Sequence, residues 1–257
     1  MAPVRLLTES FPDDPAFDTA LSRALMLRVA AGELPDTLRI ARPGAMVAFG
    51  KRDVVSRGYG AAVRAARAGG FEAIQRLAGG RAAVFHAGTI SYSHATADSD
   101  PRARITERFE VTARLIASAL ASLGVDASVG EVEGEYCPGE HSVNARGSSK
   151  LMGVGQRLVH GGAHIGAVVV VDGARRVNEV LLPVYAALGL EWRPEATGSV
   201  AREAPGTTWH AVAEAIVAAF GERHELEPGT FDSETIALAR RLAPEHRAPV
   251  LDAAGVQ

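Results

Sequence analysis

The run Ala167-Val168-Val169-Val170-Val171 constrains the fold of this chain more than any other stretch. Its five residues offer no polar face to water, and β-branched side chains favour an extended backbone. Residues 165–171 therefore read as a central strand buried on both faces. At this length the run is far too short to cross a bilayer. The rest of the chain must supply the neighbours and the cover that such a strand needs.

Those neighbours are visible. A first helix is marked by Asp14 as N-cap and Pro15 at the first helical position, with Phe17, Ala20, Leu21, Ala24 and Leu25 on one face. Strands are predicted over 37–41 and 46–49, either side of Arg42-Pro43-Gly44. A helix over 58–68 stops at Gly69-Gly70, and extended segments follow at 72–76, 82–86 and 89–94. A long helix is predicted to start at Asp100-Pro101 and end at Gly124, with Phe109, Ala113, Ile116, Leu120 and Leu123 sharing a face.

Strand signals then recur at 127–129, 142–145, 150–159 and 165–171. Residues 175–188 read as a helix that Pro183 interrupts or kinks. A loop over 193–207 leads to a helix carrying Trp209, Val212, Ala213, Ile216 and Phe220, and a last helix covers 233–242. Blocks of strands separated by helices indicate an α+β fold with a mixed sheet, not a regular βαβ array. One domain over 1–257 is expected, with a core to about 205 and C-terminal helices over 206–257.

A single cysteine rules out an internal disulfide and suits a reducing cytoplasm. The formal net charge is −3, with acids and bases interspersed, so no field favours nucleic acid or a membrane as partner. The N-terminal residues hold no apolar stretch suited to a signal peptide. A cytoplasmic monomer is the expectation. The histidines His86, His141, His160 and His164 match no zinc-binding spacing, so no metal is expected.

Three stretches carry chemistry. Arg76-Leu77-Ala78-Gly79-Gly80 places two glycines between strands, as a plain turn or as a bend exposing N–H groups to a ligand. In Lys150-Leu151-Met152-Gly153-Val154-Gly155-Gln156, an unbroken strand puts Lys150 and Gln156 on one face and Gly153 and Gly155 on the other. Lys150 is then a solvated edge residue or a cation aimed at an acyl carbonyl or a thiolate. In Glu135-Tyr136-Cys137-Pro138-Gly139, the proline pushes Cys137 away from helical dihedrals and Pro-Gly suits the centre of a type II turn. Taken alone, Cys137 is an inert thiol or a nucleophile.

In order and spacing, these pieces resemble the lipoate–biotin protein ligase superfamily, whose hallmarks are an R-x-x-G-G loop and a later K-x-x-G-x-x-Q segment. Gly50-Lys51-Arg52-Asp53 is similar to the family's early G-[KR] loop. The C-P-G element with Ser142-Val143-Asn144 is most similar to the cysteine-dependent octanoyltransferase branch. That branch moves octanoyl from the glycine-cleavage H protein to E2 subunits of 2-oxoacid dehydrogenases. Arg81 and His86 depart from the ATP-dependent ligases, which have a third glycine and a His-Asp pair there.

The resemblance implies a mainly antiparallel sheet flanked by helices, like the class II aminoacyl-tRNA synthetase and biotin–lipoate ligase folds. It implies Cys137 as the acyl-carrying nucleophile and Lys150 as its catalytic partner. Substrate would be bound by Arg76, Gly79, Gly80, His86, Gly153, Gly155 and Gln156. It requires no cofactor, whereas a lipoate ligase would use ATP and Mg2+ and leave Cys137 incidental. A non-catalytic acyl-binding protein is the third alternative. His86 or His141 is available as a general base if either lies near the thiol.

Overall fold

The computed structural model describes residues 3–249 and has a mixed α+β fold built on two sheets. The chain begins with β1 (Val4–Leu7), α1 (Pro15–Ala30), β2 (Thr37–Ala41), β3 (Met46–Phe49), α2 (Lys51–Val54) and α3 (Tyr59–Ala68). Next come β4 (Glu72–Gln75), β5 (Ala83–Phe85), β6 (Thr89–Ala97), α4 (Ile105–Ser122), β7 (Ala127–Val129) and β8 (Val143–Ala145). The long hairpin of β9 (Ser149–Val159) and β10 (Gly162–Val170) leads into α5 (Ala174–Leu188). The chain closes with α6 (Val200–Glu203), α7 (Trp209–Gly221), β11 (Leu226–Pro228) and α8 (Ser233–His246).

The larger sheet has the order β11-β1-β2-β6-β10-β9-β8-β7. β1 pairs in parallel with β2 and β11, while the other neighbours run antiparallel. The valine run lies in β10 between β6 and β9, with Val168, Val169, Val170 and Val171 all buried. β-Branched side chains covered on both faces explain that central place. α4 and α7 cover one face of this sheet. α1 packs on the other, with α8 outside it. The smaller sheet, β4-β3-β5, buries its apolar residues against α3 and α5.

Local signals explain the best-defined ends. Asp14 caps α1 by accepting from the Phe17 amide, and Pro15 occupies the first turn. Four expectations need correction. α4 starts at Ile105, not at Asp100-Pro101: residues 101–104 form a turn, and Asp98 accepts from Arg104 and Arg108 across it. Pro183 does not interrupt α5, because Val180, Leu181, Val184 and Tyr185 are buried on both sides of it and packing outweighs the lost N–H. α8 runs to His246, four residues beyond its expected end. β1 and β11 pair in a sheet although neither carries a strand signal of its own.

A further correction bears on the site. β9 is not a regular strand: Asn144 pairs with Lys150 but Val143 pairs with Met152, so Leu151 is an extra residue. This β-bulge reverses the alternation. Leu151 and Met152 both enter the core, and Lys150 faces the same side as Gly153, whose built Cβ would lie 3.3 Å from the Lys150 Cε.

Candidate active site

The site lies where the two sheets meet. β4 runs directly into Arg76, and the following loop crosses β9 at Gly155. A Cβ on Gly155 would stand 2.8 Å from the Gly79 carbonyl oxygen, so only glycine lets the loop lie this close. Gly79 donates its amide to the Gln156 carbonyl at 3.3 Å. Gly80 has φ +114°, and a Cβ there would fall 2.9 Å from the Cys137 sulfur. That bend turns the next amide toward the thiol: the Arg81 N–H donates to Cys137 Sγ at 3.1 Å. The Arg76 Nη1 lies 3.9 Å from the same sulfur and donates to the Arg81 carbonyl at 3.0 Å.

Arg81 is fixed from behind. Its guanidinium pairs with Asp53 at 3.0 Å, and that carboxylate, wholly buried, also accepts from the Gly50 amide at 2.9 Å. The Gly50-Lys51-Arg52-Asp53 turn thus braces the Arg76-Gly80 loop.

Cys137 is partly buried and lies outside any helix or strand. Its φ is +45°, a left-handed value, where the following proline favours an extended one. Hydrogen bonds override that preference. The Cys137 amide donates to the Tyr185 hydroxyl at 2.9 Å, and its carbonyl accepts from the Lys150 Nζ at 2.8 Å. The nearby turn is closed by Ser142 donating to the Gly139 carbonyl at 3.0 Å, so its centre is Glu140-His141 rather than Pro138-Gly139.

Lys150 is fully buried, not a solvated edge residue. Its ammonium donates to Glu135 Oε1 at 2.8 Å, to the Tyr136 carbonyl at 2.9 Å and to the Cys137 carbonyl, which uses all three of its donors. The sulfur receives none of them; its cation is Arg76. Glu135, also buried, further accepts from Ser142 Oγ at 2.6 Å and from the amides of Val132 and Gly139. One carboxylate thereby organises the whole Cys137 loop.

A narrow half-open slot leads inward from Arg76. It is lined by Leu77, Ala78, Met46, Phe85, Gly166 and His164. The buried Arg39–Asp18 ion pair stands beside it. His164 is held by Ser93 Oγ at 2.9 Å, and burial pulls its pKa down to about 4, so the ring is neutral near pH 7. Among the described residues no cluster of His, Cys, Asp and Glu could hold a metal ion.

The structure gathers Arg76, Gly79, Gly80, Cys137, Lys150, Gly153 and Gly155 at one place. It does not bring the candidate bases there. The His86 ring packs against Gly88 and Gly173, with Nδ1 accepting from the Gly88 amide at 3.0 Å. His141 stacks on Phe109, with 5.2 Å between ring centroids. His160 and His164 are not on one continuous strand, because the β9–β10 hairpin turns between them. The Gln156 side chain points to α4, accepting from Arg108 at 3.1 Å and donating to the Ile105 carbonyl at 3.0 Å. Asp53 and Glu135, each the lone acid of its motif stretch, and Tyr185, which belongs to none, join the site beyond the expected residues.

The family model of the lipoyl protein ligase A/B catalytic domain matches residues 14–221. No curated protein sequence matches the chain at a significant level. Among solved structures, a lipoate-protein ligase A bound with ATP has 19% identity and a TM-score of 0.78, covering 95% of each chain. The Thermoplasma acidophilum protein Ta0514 with bound lipoic acid has 20% identity and a TM-score of 0.75, covering 95% of this chain and 96% of that one. A bi-partite lipoate protein ligase from the same organism, described with its E2 lipoyl domain, has 19% identity and a TM-score of 0.73, covering 95% and 93%. These likenesses establish a shared fold. No helix among the described residues is long and apolar enough to cross a membrane.

Proposed function

Because this chain belongs to the family of lipoyl protein ligase A/B catalytic domains, we propose that it moves an octanoyl or lipoyl group between lipoyl-carrier proteins through a thioester on Cys137. The observation that carries this reading is the setting of the sulfur, with the Arg81 amide at 3.1 Å and the Arg76 guanidinium at 3.9 Å. Donors of this kind favour a thiolate, the nucleophilic form of cysteine.

In the first step the thiolate attacks the carbonyl carbon of an acyl-lysine amide on the donor protein. The C–S bond forms as the carbonyl electron pair moves to oxygen, giving a tetrahedral oxyanion beside the Arg81 amide and Arg76. Collapse breaks the C–N bond, and the donor lysine amine leaves with the proton that the thiol gave up. In the second step the acceptor lysine, as a neutral amine, attacks the thioester. A new C–N bond forms, the C–S bond breaks, and the amine's proton returns to sulfur. No nucleotide is consumed.

Lys150 holds the Cys137 carbonyl, with its other two donors on Glu135 and the Tyr136 carbonyl, and so fixes the loop that carries the nucleophile. The apolar chain enters the slot beyond Arg76, where burial of each methylene contributes about 0.8 kcal/mol. The glycine-cleavage H protein as donor and E2 subunits as acceptors fit this chemistry, and the E2 lipoyl domain described with the Thermoplasma ligase supports carriers of that kind.

The test is incubation with an octanoylated H protein in the absence of ATP, followed by intact-mass and peptide mass spectrometry. One octanoyl group on Cys137, discharged by an E2 lipoyl domain, is expected. If no adduct forms and transfer requires free octanoate or lipoate with ATP and Mg2+, the chain is an adenylate-forming ligase. If Cys137→Ser still restores growth to a lipoylation-deficient host, the thioester has no part in its role.

A further inference from the structure

Tyr185 belongs to α5, an element that carries none of the motif residues, and its ring is buried beside Trp192. Its hydroxyl nonetheless ends at the nucleophile. It accepts from the Cys137 amide at 2.9 Å and donates to the Ala82 carbonyl at 3.0 Å. Ala82 follows Arg81, whose amide donates to Cys137 Sγ. Two connections therefore run side by side between the same two pieces of chain: Arg81 N–H to the sulfur, and Ala82 C=O through the Tyr185 hydroxyl to the Cys137 N–H.

We propose that Tyr185 is a positioning residue for Cys137, clamping the main chain at residues 82 and 137 so that the sulfur stays on the Arg81 amide. The inference rests on the reading of Cys137 as the acyl carrier. Left-handed backbone at a non-glycine residue is strained and persists only where its surroundings enforce it. Lys150 supplies one restraint, at the Cys137 carbonyl, and Tyr185 the other, at the amide. Burial, reinforced by the charge of Cys137, raises the tyrosine pKa well above its ordinary value. The hydroxyl thus remains neutral and serves as a bridge between two backbone groups, with no proton to exchange in the reaction.

The experiment compares wild type, Tyr185→Phe and Val184→Ala. Val184 is a buried neighbour on the same helix that packs in the α3–α5 core, and serves as the control for loosened packing. Three quantities are read: octanoyl-Cys137 formation over time with saturating and limiting octanoylated H protein, iodoacetamide labelling of Cys137 against pH, and the thermal midpoint. In Tyr185→Phe the acylation rate should fall about tenfold, the scale set by one buried donor losing its partner. The donor concentration at half-saturation should stay unchanged, and the labelling profile should move to higher pH as the sulfur leaves the Arg81 amide. Val184→Ala should lower the thermal midpoint without moving that profile.

Wild-type rates and an unmoved labelling profile in Tyr185→Phe overturn the inference, as does an equal displacement of the profile in Val184→Ala. Absence of any octanoyl-Cys137 in wild type instead overturns the reading on which it rests.

Discussion

The main-chain amide of Arg81 donates to the sulfur of Cys137 across 56 residues of sequence, at 3.1 Å. Few groups stabilise a negative sulfur as well as a fixed peptide dipole, and this one is fixed twice. Gly80 supplies the bend that aims it, and the Arg81–Asp53 pair holds the residue itself.

The cation beside that sulfur is Arg76, so its removal should weaken the thiolate. Arg76→Gln should slow iodoacetamide labelling of Cys137 near neutral pH by about tenfold. Arg76→Lys keeps the charge but loses the planar fork, and should fall between wild type and Arg76→Gln. Labelling rates measured from pH 6 to pH 10 (about neutral to well above the ordinary thiol pKa) test both; identical profiles in all three proteins would refute the assignment.

Glu135 and Lys150 form a buried pair in which each leaves an uncompensated charge if the other is removed. Lys150→Met alone, or Glu135→Gln alone, should lower stability by about 3–5 kcal/mol. The double variant should lose markedly less than the sum, because neither charge remains. Urea denaturation of the four proteins gives the coupling, and simple additivity would show that the pair does not act as a unit.

The two glycines that meet where the loop crosses β9, Gly79 and Gly155, should not respond alike. Gly155→Ala drives a methyl against the Gly79 carbonyl and the Ala78 Cβ, so the loop must lift. A cost of about 1–3 kcal/mol is expected from such overpacking, together with a larger loss of transfer rate. A Cβ on Gly79 meets nothing within 4 Å, and Gly79→Ala should retain near-wild-type stability. Thermal melts and single-turnover acylation rates distinguish the two; equal damage would contradict the geometry.

Two histidines, the buried His164 and the half-buried His94, set an acid limit. Burial lowers His164 to about 4 and His94 to about 3 from the ordinary 6.5. Each binds its proton more weakly in the folded state, so the unfolded chain takes up more protons as pH falls below 6.5. The stability they contribute is fully present above that value and is lost progressively toward their folded pKa values. The thermal midpoint should therefore fall between pH 6.5 and 4, and His164→Asn should flatten that decline. An unchanged slope in His164→Asn would exclude His164 as a cause.

Much of this architecture is legible in single residues. Asp14-Pro15 fixes the start of α1, the valine run marks the centre of the larger sheet, and β2 and β3 fall where the apolar segments flank Arg42-Pro43-Gly44. The Leu151 bulge is not legible, because it exists only relative to the register of β8. Its effect is large: it reverses which side Lys150 faces with respect to Gly153 and Gly155. Tyr185 is hidden for a related reason. On a helix with Val180, Leu181 and Val184 it reads as one more core residue, and its hydroxyl acquires meaning only when the fold brings Cys137 to it. β1 and β11 are short and stabilise one another by pairing, which no local propensity records.

Arg76 and Arg81 are carried by the loop between β4 and β5 of the smaller sheet, whereas Lys150 is part of β9 in the larger one, and Cys137 is bonded to both groups. The thiol is thus a gauge of alignment between two bodies that meet at a seam. A substitution far from the sulfur that slides one sheet against the other by a few tenths of an ångström should alter cysteine labelling while the circular-dichroism spectrum and cooperative unfolding remain unchanged. Reactivity at one atom would then report strain anywhere along the junction, well before the fold itself gives way.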